Sequence, residues 1–136
     1  MPIRTLLVDD SPEYLRALSR FLASDPEIEI VGQASSTHDA LEKMDRSQVD
    51  LVLMDLAMPG TNGLEATRSI KARANAPRVL IQTLHDSNEH RAAAQEVCAE
   101  GFVSKLESDA ELVPLIHTLF ASSPAVTVRT ASGDNL

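Results

Sequence analysis

The sequence predicts a doubly wound α/β domain with a five-stranded parallel sheet in the order 2-1-3-4-5. Three observations point there. Short apolar runs alternate five times with segments of helical period. The central runs, such as "LVLMD", are apolar throughout, as strands buried on both faces under crossover helices must be. The second run, "EIEIVG", alternates acid and apolar residues, which suits a half-exposed edge strand.

Each element has its own signals. Ile3 to Val8 makes the first strand. Ser11 caps the first helix with Pro12 at its first position, and Leu15, Leu18 and Leu22 follow at helical spacing with Phe21 beside them. Ser36 or Thr37 caps a second helix carrying Ala40, Leu41 and Met44. Residues 51–55 form the third strand. Asn62, with Glu65 three residues on, resembles a capping box and opens a third helix with Leu64, Thr67 and Ile70 inward. Residues 78–83, "RVLIQT", form the fourth strand. From Ser87 to about Ala99 a fourth helix has mainly Ala92, Ala93 and Val97 to bury, a thin face, and Cys98 reads as a small residue of that helix. "GFVSK" holds the fifth strand. Ser108, with Glu111, caps a last helix bearing Leu112, Leu115, Ile116, Leu119 and Phe120. Pro114 would cost about 3 kcal/mol in a helix interior, so the expectation is a later start or a kink there.

The 136 residues suit one domain, 1–121, followed by a linker or tail over 122–136 that is rich in Ser, Thr and Ala. Hydrophobic content of 43% supports a core, and with 3% aromatics and no Trp that core is aliphatic. The net charge of −8 argues against direct binding of nucleic acid or an anionic membrane and favours cationic partners. The single Cys98 excludes an internal disulfide, and it shares no ligand spacing with His38, His90 or His117 that would make a zinc site. No signal peptide or membrane-length apolar run appears, so the expected location is cytoplasmic.

Chemistry collects where the strands end. The first strand ends in Asp9 and Asp10, the third in Asp55, the fourth in Thr83, and the fifth is followed by Lys105. Two like charges about 5 Å apart repel by roughly 3 kcal/mol at an effective dielectric near 20, and no lysine or arginine lies close to the acid pair in sequence. In a doubly wound sheet the ligand crevice lies beyond the carboxyl ends of the strands, where these side chains converge. Three carboxylates and one ammonium leave a net −2, which a divalent cation would cancel. Clustered hard oxygens suit Mg²⁺. A metal and an ammonium beside a strand-end carboxylate describe a phosphoryl-transfer site, with Asp55 as nucleophile and Thr83 able to donate to a phosphoryl oxygen. Singly, each residue has a bland reading: a capping turn, a β-branched strand residue, a surface lysine. Their conjunction at the right strand ends carries the argument.

On these residues the chain resembles the receiver domains of bacterial two-component response regulators, which share a flavodoxin-like fold. "LLVDD", "DLVLMDLAMPGTNGLEATRSIK", "VLIQT" and "GFVSK" match in order and spacing from about Ile3 to Phe120. The resemblance implies Asp55 as phosphoacceptor from the phosphohistidine of a sensor histidine kinase. It implies Mg²⁺ bound by Asp10 and Asp55, by Asp9 largely through water, and by the backbone carbonyl of Ala57. Thr83 and Phe102 would be the switch pair, and the fourth helix, fifth strand and fifth helix the output face. The domain would be no enzyme beyond its own phosphorylation and dephosphorylation. Homodimers on phosphorylation are common in resembling proteins. The style is that of receivers with a helix-turn-helix output domain, which implies transcription regulation, with DNA reached only through a domain absent from this chain. Either a stand-alone receiver or one domain of a longer regulator fits the tail.

Several positions depart from the family's commonest pattern. Leu106 follows the lysine where proline is common, which puts a cis bond in doubt. Leu84 stands where a small residue is usual, and its bulk would narrow the path to Asp55. Ala57 offers no polar side chain to attacking water, and His85 is the other tuning position, so the expected acyl phosphate decays slowly to moderately. Two other classes compete. A Mg²⁺-dependent aspartyl phosphohydrolase normally spaces its two acids two residues apart, and here they are adjacent. A flavin- or nucleotide-binding module needs a phosphate loop where "DDSPEY" is acidic.

Overall fold

The computed structural model describes residues 2–58, 61–84 and 87–121. The Pro59-Gly60 turn, His85 and the tail over 122–136 lie outside the described residues. The chain runs β1 (Ile3–Val8), α1 (Pro12–Leu22), β2 (Ile28–Ala34), α2 (Thr37–Arg46), β3 (Leu51–Met54), β4 (Ala57–Met58), β5 (Thr61–Asn62), α3 (Gly63–Lys71), β6 (Arg78–Thr83), α4 (Asn88–Glu96), β7 (Gly101–Ser104) and α5 (Ser108–Leu119). The main sheet is parallel with order β2-β1-β3-β6-β7, and β4 and β5 form a small antiparallel ladder after β3. Counting only the strands of the main sheet, this is the expected 2-1-3-4-5.

Strand alternation divides the core. Leu6, Val8, Val52, Met54, Val79 and Ile81 face α2, α3 and α4 through Ala40, Ala66, Ile70 and Ala94. Leu7, Leu51, Leu53, Leu80 and Val103 face α1 and α5 through Leu15, Leu18, Leu22, Leu112 and Ile116. Each fully buried Leu or Ile contributes about 1.5–3 kcal/mol of transfer free energy. Edge strand β2 is only partly covered along its middle, as its alternating sequence requires. Among the described residues no helix is long and apolar enough to cross a membrane.

The caps at Ser11, Ser36, Asn62 and Ser87 each accept a backbone N–H of the following turn. Four local expectations change. Ser108 is the first residue of α5 rather than its cap, because a 3₁₀ turn over Lys105–Glu107 winds directly into the helix. The helix starts no later for Pro114 and continues through it. Pro114 and Ala110, whose carbonyl loses its donor, both lie on the exposed side, where water can serve that carbonyl. On α4 the inward residue is Ala94, with Val97 just beyond the helix, while Ala92 is exposed. Cys98 lies past the end of α4 at φ 67. Its N–H donates to Gln95 O and that of Ala99 to Ala94 O, the paired bonds of a Schellman termination.

Candidate functional site

Register brings the acids together. Val8 and Met54 pair across β1 and β3, so the next residues, Asp9 and Asp55, leave neighbouring strand ends side by side. The Asp55 N–H still donates to Val8 O at 3.0 Å, and that of Asp9 to Ala34 O at 3.0 Å, so both backbones are fixed by the sheet. Asp9 and Asp55 are buried and Asp10 is exposed. One carboxylate oxygen from each of the three lies within 4.8 Å of the others.

The counter-charge comes from far along the chain. Thr83 ends β6 opposite Ser104 of β7, and Lys105 follows at once. Its four-carbon stem carries the ammonium across the end of β6, to 2.6 Å from Asp9 Oδ2 and 3.6 Å from Asp55 Oδ1. The acid pair is therefore relieved in part by a cation 96 residues from Asp9. Burial alone would lower the Lys105 pKa, but the hydrogen bond to Asp9 and the charges of Asp55 and Asp9 outweigh it and hold the ammonium above its ordinary value. Burial pushes the nearby Tyr14 phenol up.

Asp9, Asp10, Asp55, Thr83, Lys105 and Leu84 line one cavity of about 190 Å³. That is several times the about 30 Å³ share of one water in the liquid. Thr83 is fully buried, while Leu84 is 62% exposed and stands at the mouth. Among the described lining residues the metal-ligand candidates are hard oxygens, with no thiolate or imidazole, which fits Mg²⁺.

The other two expected site residues are Phe102 and Ala57. Phe102, opposite Ile81 on β7, does not line the cavity; it packs on the α3 and α4 side, with the Arg91 guanidinium 4.7 Å from its ring centroid. Ala57 falls in β4, paired with Asn62. Peptide bonds among the described residues are trans, Lys105–Leu106 included.

Gly63 also serves the site, and sequence reasoning missed it. A Cβ there would sit 2.2 Å from the Asp55 carbonyl oxygen and 2.6 Å from Leu56 Cα. The first turn of α3 thus presses directly on the backbone that presents Asp55. A glycine immediately after the capping Asn62 was the available signal.

A family model for the response regulator receiver domain matches residues 5–117. The chain belongs to this family. It is 35% identical over 119 residues to the response regulator UvrY of Escherichia coli K12, covering 88% of this chain and 55% of that protein. It is 33% identical over 132 residues to a protein-glutamate methylesterase/protein-glutamine glutaminase of Methanosarcina mazei, covering 91% of this chain and 37% of that one. A LuxR-family two-component response regulator from Aurantimonas superposes with a TM-score of 0.82 at 34% identity, covering 88% of this chain and 85% of the other. The chain spans about half the length of UvrY and less of the methylesterase. The relatives thus include both a response regulator and a methylesterase. The comparisons lend no support to the phosphohydrolase or flavin-module alternatives.

Proposed function

We propose that this receiver is a phosphorylation-gated switch in which Asp55 accepts the phosphoryl group of a sensor kinase's phosphohistidine. The observation that carries the reading is the buried Asp55 carboxylate, set in an open cavity with Lys105 3.6 Å away and two further carboxylates at its rim. An Asp55 oxygen attacks phosphorus, the P–N bond breaks, and the imidazole leaves with a proton. The product is an acyl phosphate on Asp55.

Asp9, Asp10, Asp55 and the Ala57 carbonyl would hold Mg²⁺, which would supply positive charge to the transferring oxygens. Lys105 adds a second positive charge from the carboxyl end of β7. Thr83, buried at the end of β6, would donate its hydroxyl to a phosphoryl oxygen. Its movement would free space for Phe102 to turn inward, changing the face made by α4, β7 and α5. That face would act on an output domain or partner, with homodimer formation and transcription control in the cytoplasm as the downstream reading. The domain itself turns over no separate substrate.

Intact mass after incubation with acetyl phosphate tests this. A gain of one phosphoryl group that requires Mg²⁺ and disappears in a folded Asp55→Asn variant is the expected result. Retention of label in Asp55→Asn would overturn the assignment. Leu84→Ala should speed labelling by the same donor, since Leu84 stands at the cavity mouth. An unchanged rate would remove Leu84 as a gate.

A further inference from the structure

A closed circuit of contacts surrounds the Lys105 ammonium. Nζ donates to Asp9 Oδ2 at 2.6 Å. The other Asp9 oxygen, Oδ1, accepts the Ser11 N–H at 3.0 Å. The Ser11 hydroxyl oxygen accepts the Tyr14 N–H at 3.2 Å, capping α1. The Tyr14 ring then returns to the start, its centroid 4.1 Å from Lys105 Nζ. Asp9 thus holds the ammonium directly and also fixes the turn that carries the ring to it.

We propose that Tyr14 is a positioning residue for Lys105, its ring face keeping the ammonium beside Asp55 as it turns toward phosphoryl oxygens there. This rests on the phosphoacceptor reading of Asp55. Nζ lies 2.6 Å from Asp9 and 3.6 Å from Asp55, so turning its remaining N–H donors onto phosphoryl oxygens at Asp55 moves the ammonium toward that side. A ring face attracts a cation without a directional bond, so the ammonium can slide over it toward Asp55 and remain held.

The ring also closes an exit. Tyr14 and Lys105 both line a second cavity, of about 280 Å³, between α1 and the start of α5, together with Phe21 and Leu106. Phe21 is 40% and Leu106 78% exposed, so this groove is open to solvent. Without the ring, the flexible lysine stem could carry its charge into the groove and away from Asp55. Lys105 lines both cavities, and Tyr14 lines the second one beside it.

The test is a double-mutant cycle on the whole chain, read as the initial rate of labelling by acetyl phosphate with saturating Mg²⁺. Intact mass followed over hours resolves slow variants. Tyr14→Leu should slow labelling about three- to tenfold, the range of one cation–π contact at a partly desolvated site. Tyr14→Phe, which keeps the ring, should recover most of the rate. The Mg²⁺ concentration for half-maximal rate should stay unchanged in both. In a Lys105→Ala background, Tyr14→Leu should make no further difference, because its effect passes through the ammonium. Should Tyr14→Leu fail to fold, as judged by thermal denaturation, Tyr14→Met replaces it. A wild-type rate in Tyr14→Leu, equal slowing by Phe and Leu, or the same loss in the Lys105→Ala background would overturn the proposal. If the wild-type chain takes no label, the phosphoacceptor reading falls first and this inference with it.

Discussion

Helix α5 buries Leu112 and Ile116 completely against one face of the sheet, whereas α4, on the other face, brings Ala94 inward, with Val97 just past its end. Both helices flank β7 and belong to the proposed output surface. They differ in how much apolar contact holds them. A helix secured by an alanine has little to lose when its neighbours move, and elements that shift in signalling are drawn from the weakly held end of a structure. The difference suggests a division of labour: α5 is the anchored edge of the output face and α4 the part free to respond.

The largest expected effect tests that division directly. Leu112→Ala removes a fully buried side chain and should cost about 2–5 kcal/mol in urea unfolding. Ala94→Gly should cost about 1 kcal/mol, through helix propensity alone. Amide exchange in the wild-type chain should show α4 opening before α5. Equal costs for the two substitutions, or α4 amides as protected as those of α5, would erase the contrast.

Much of this was legible in the sequence. The apolar runs gave the strands, the acid alternation of residues 27–32 gave the edge, and strand-end polarity gave Asp9, Asp55, Thr83 and Lys105 as one group. What stayed hidden was set by contacts between distant residues. The Lys105–Asp9 bond depends on how far a lysine stem reaches over β6, and the packing of Gly63 on Asp55 depends on where α3 starts in space. Pro114 misled because propensity speaks of an isolated helix. Solvent on that side of α5 relaxes the penalty.

The end of α4 gives a smaller test on the loosely held side. Cys98 terminates the helix at φ 67, a conformation that costs a side-chain-bearing residue roughly 1–2 kcal/mol. Cys98→Gly removes that strain but adds unfolded-chain freedom worth about 0.4–1 kcal/mol. Cys98 is exposed and surrenders little packing. The first term wins, so the variant should gain about 0.5–1 kcal/mol, seen as a higher urea midpoint at unchanged slope. A lower midpoint would mean the thiol packs better than its exposure indicates. Phosphorylation-linked change in α4 should also diminish if part of its readiness to move comes from this strained end.

The smallest effect lies on the anchored side and depends on pH. His117 of α5 places Nε2 2.7 Å from Asp25 Oδ2 and Nδ1 3.3 Å from Glu27 Oε1. Both ring nitrogens face carboxylates, an arrangement that only the imidazolium satisfies with two donors. The hydrogen bond to Asp25 accordingly raises the His117 pKa above its ordinary 6.5, and the bond to His117 lowers that of Asp25 below 3.8. A raised histidine pKa stabilises the fold fully below 6.5 and loses that contribution as pH rises through the folded-state value. A lowered aspartate pKa stabilises above 3.8 and fails as pH falls through its own folded-state value. The pair is therefore at full strength between about pH 4 and 6.5. Because the imidazole is more than a third exposed, its worth there is about 0.5 kcal/mol, less in high salt. The stability gap between wild type and His117→Gln, measured by urea unfolding, should be widest near pH 5.5 and close toward pH 9. A gap that stayed constant across that range would show that α5 is anchored here by packing and not by charge.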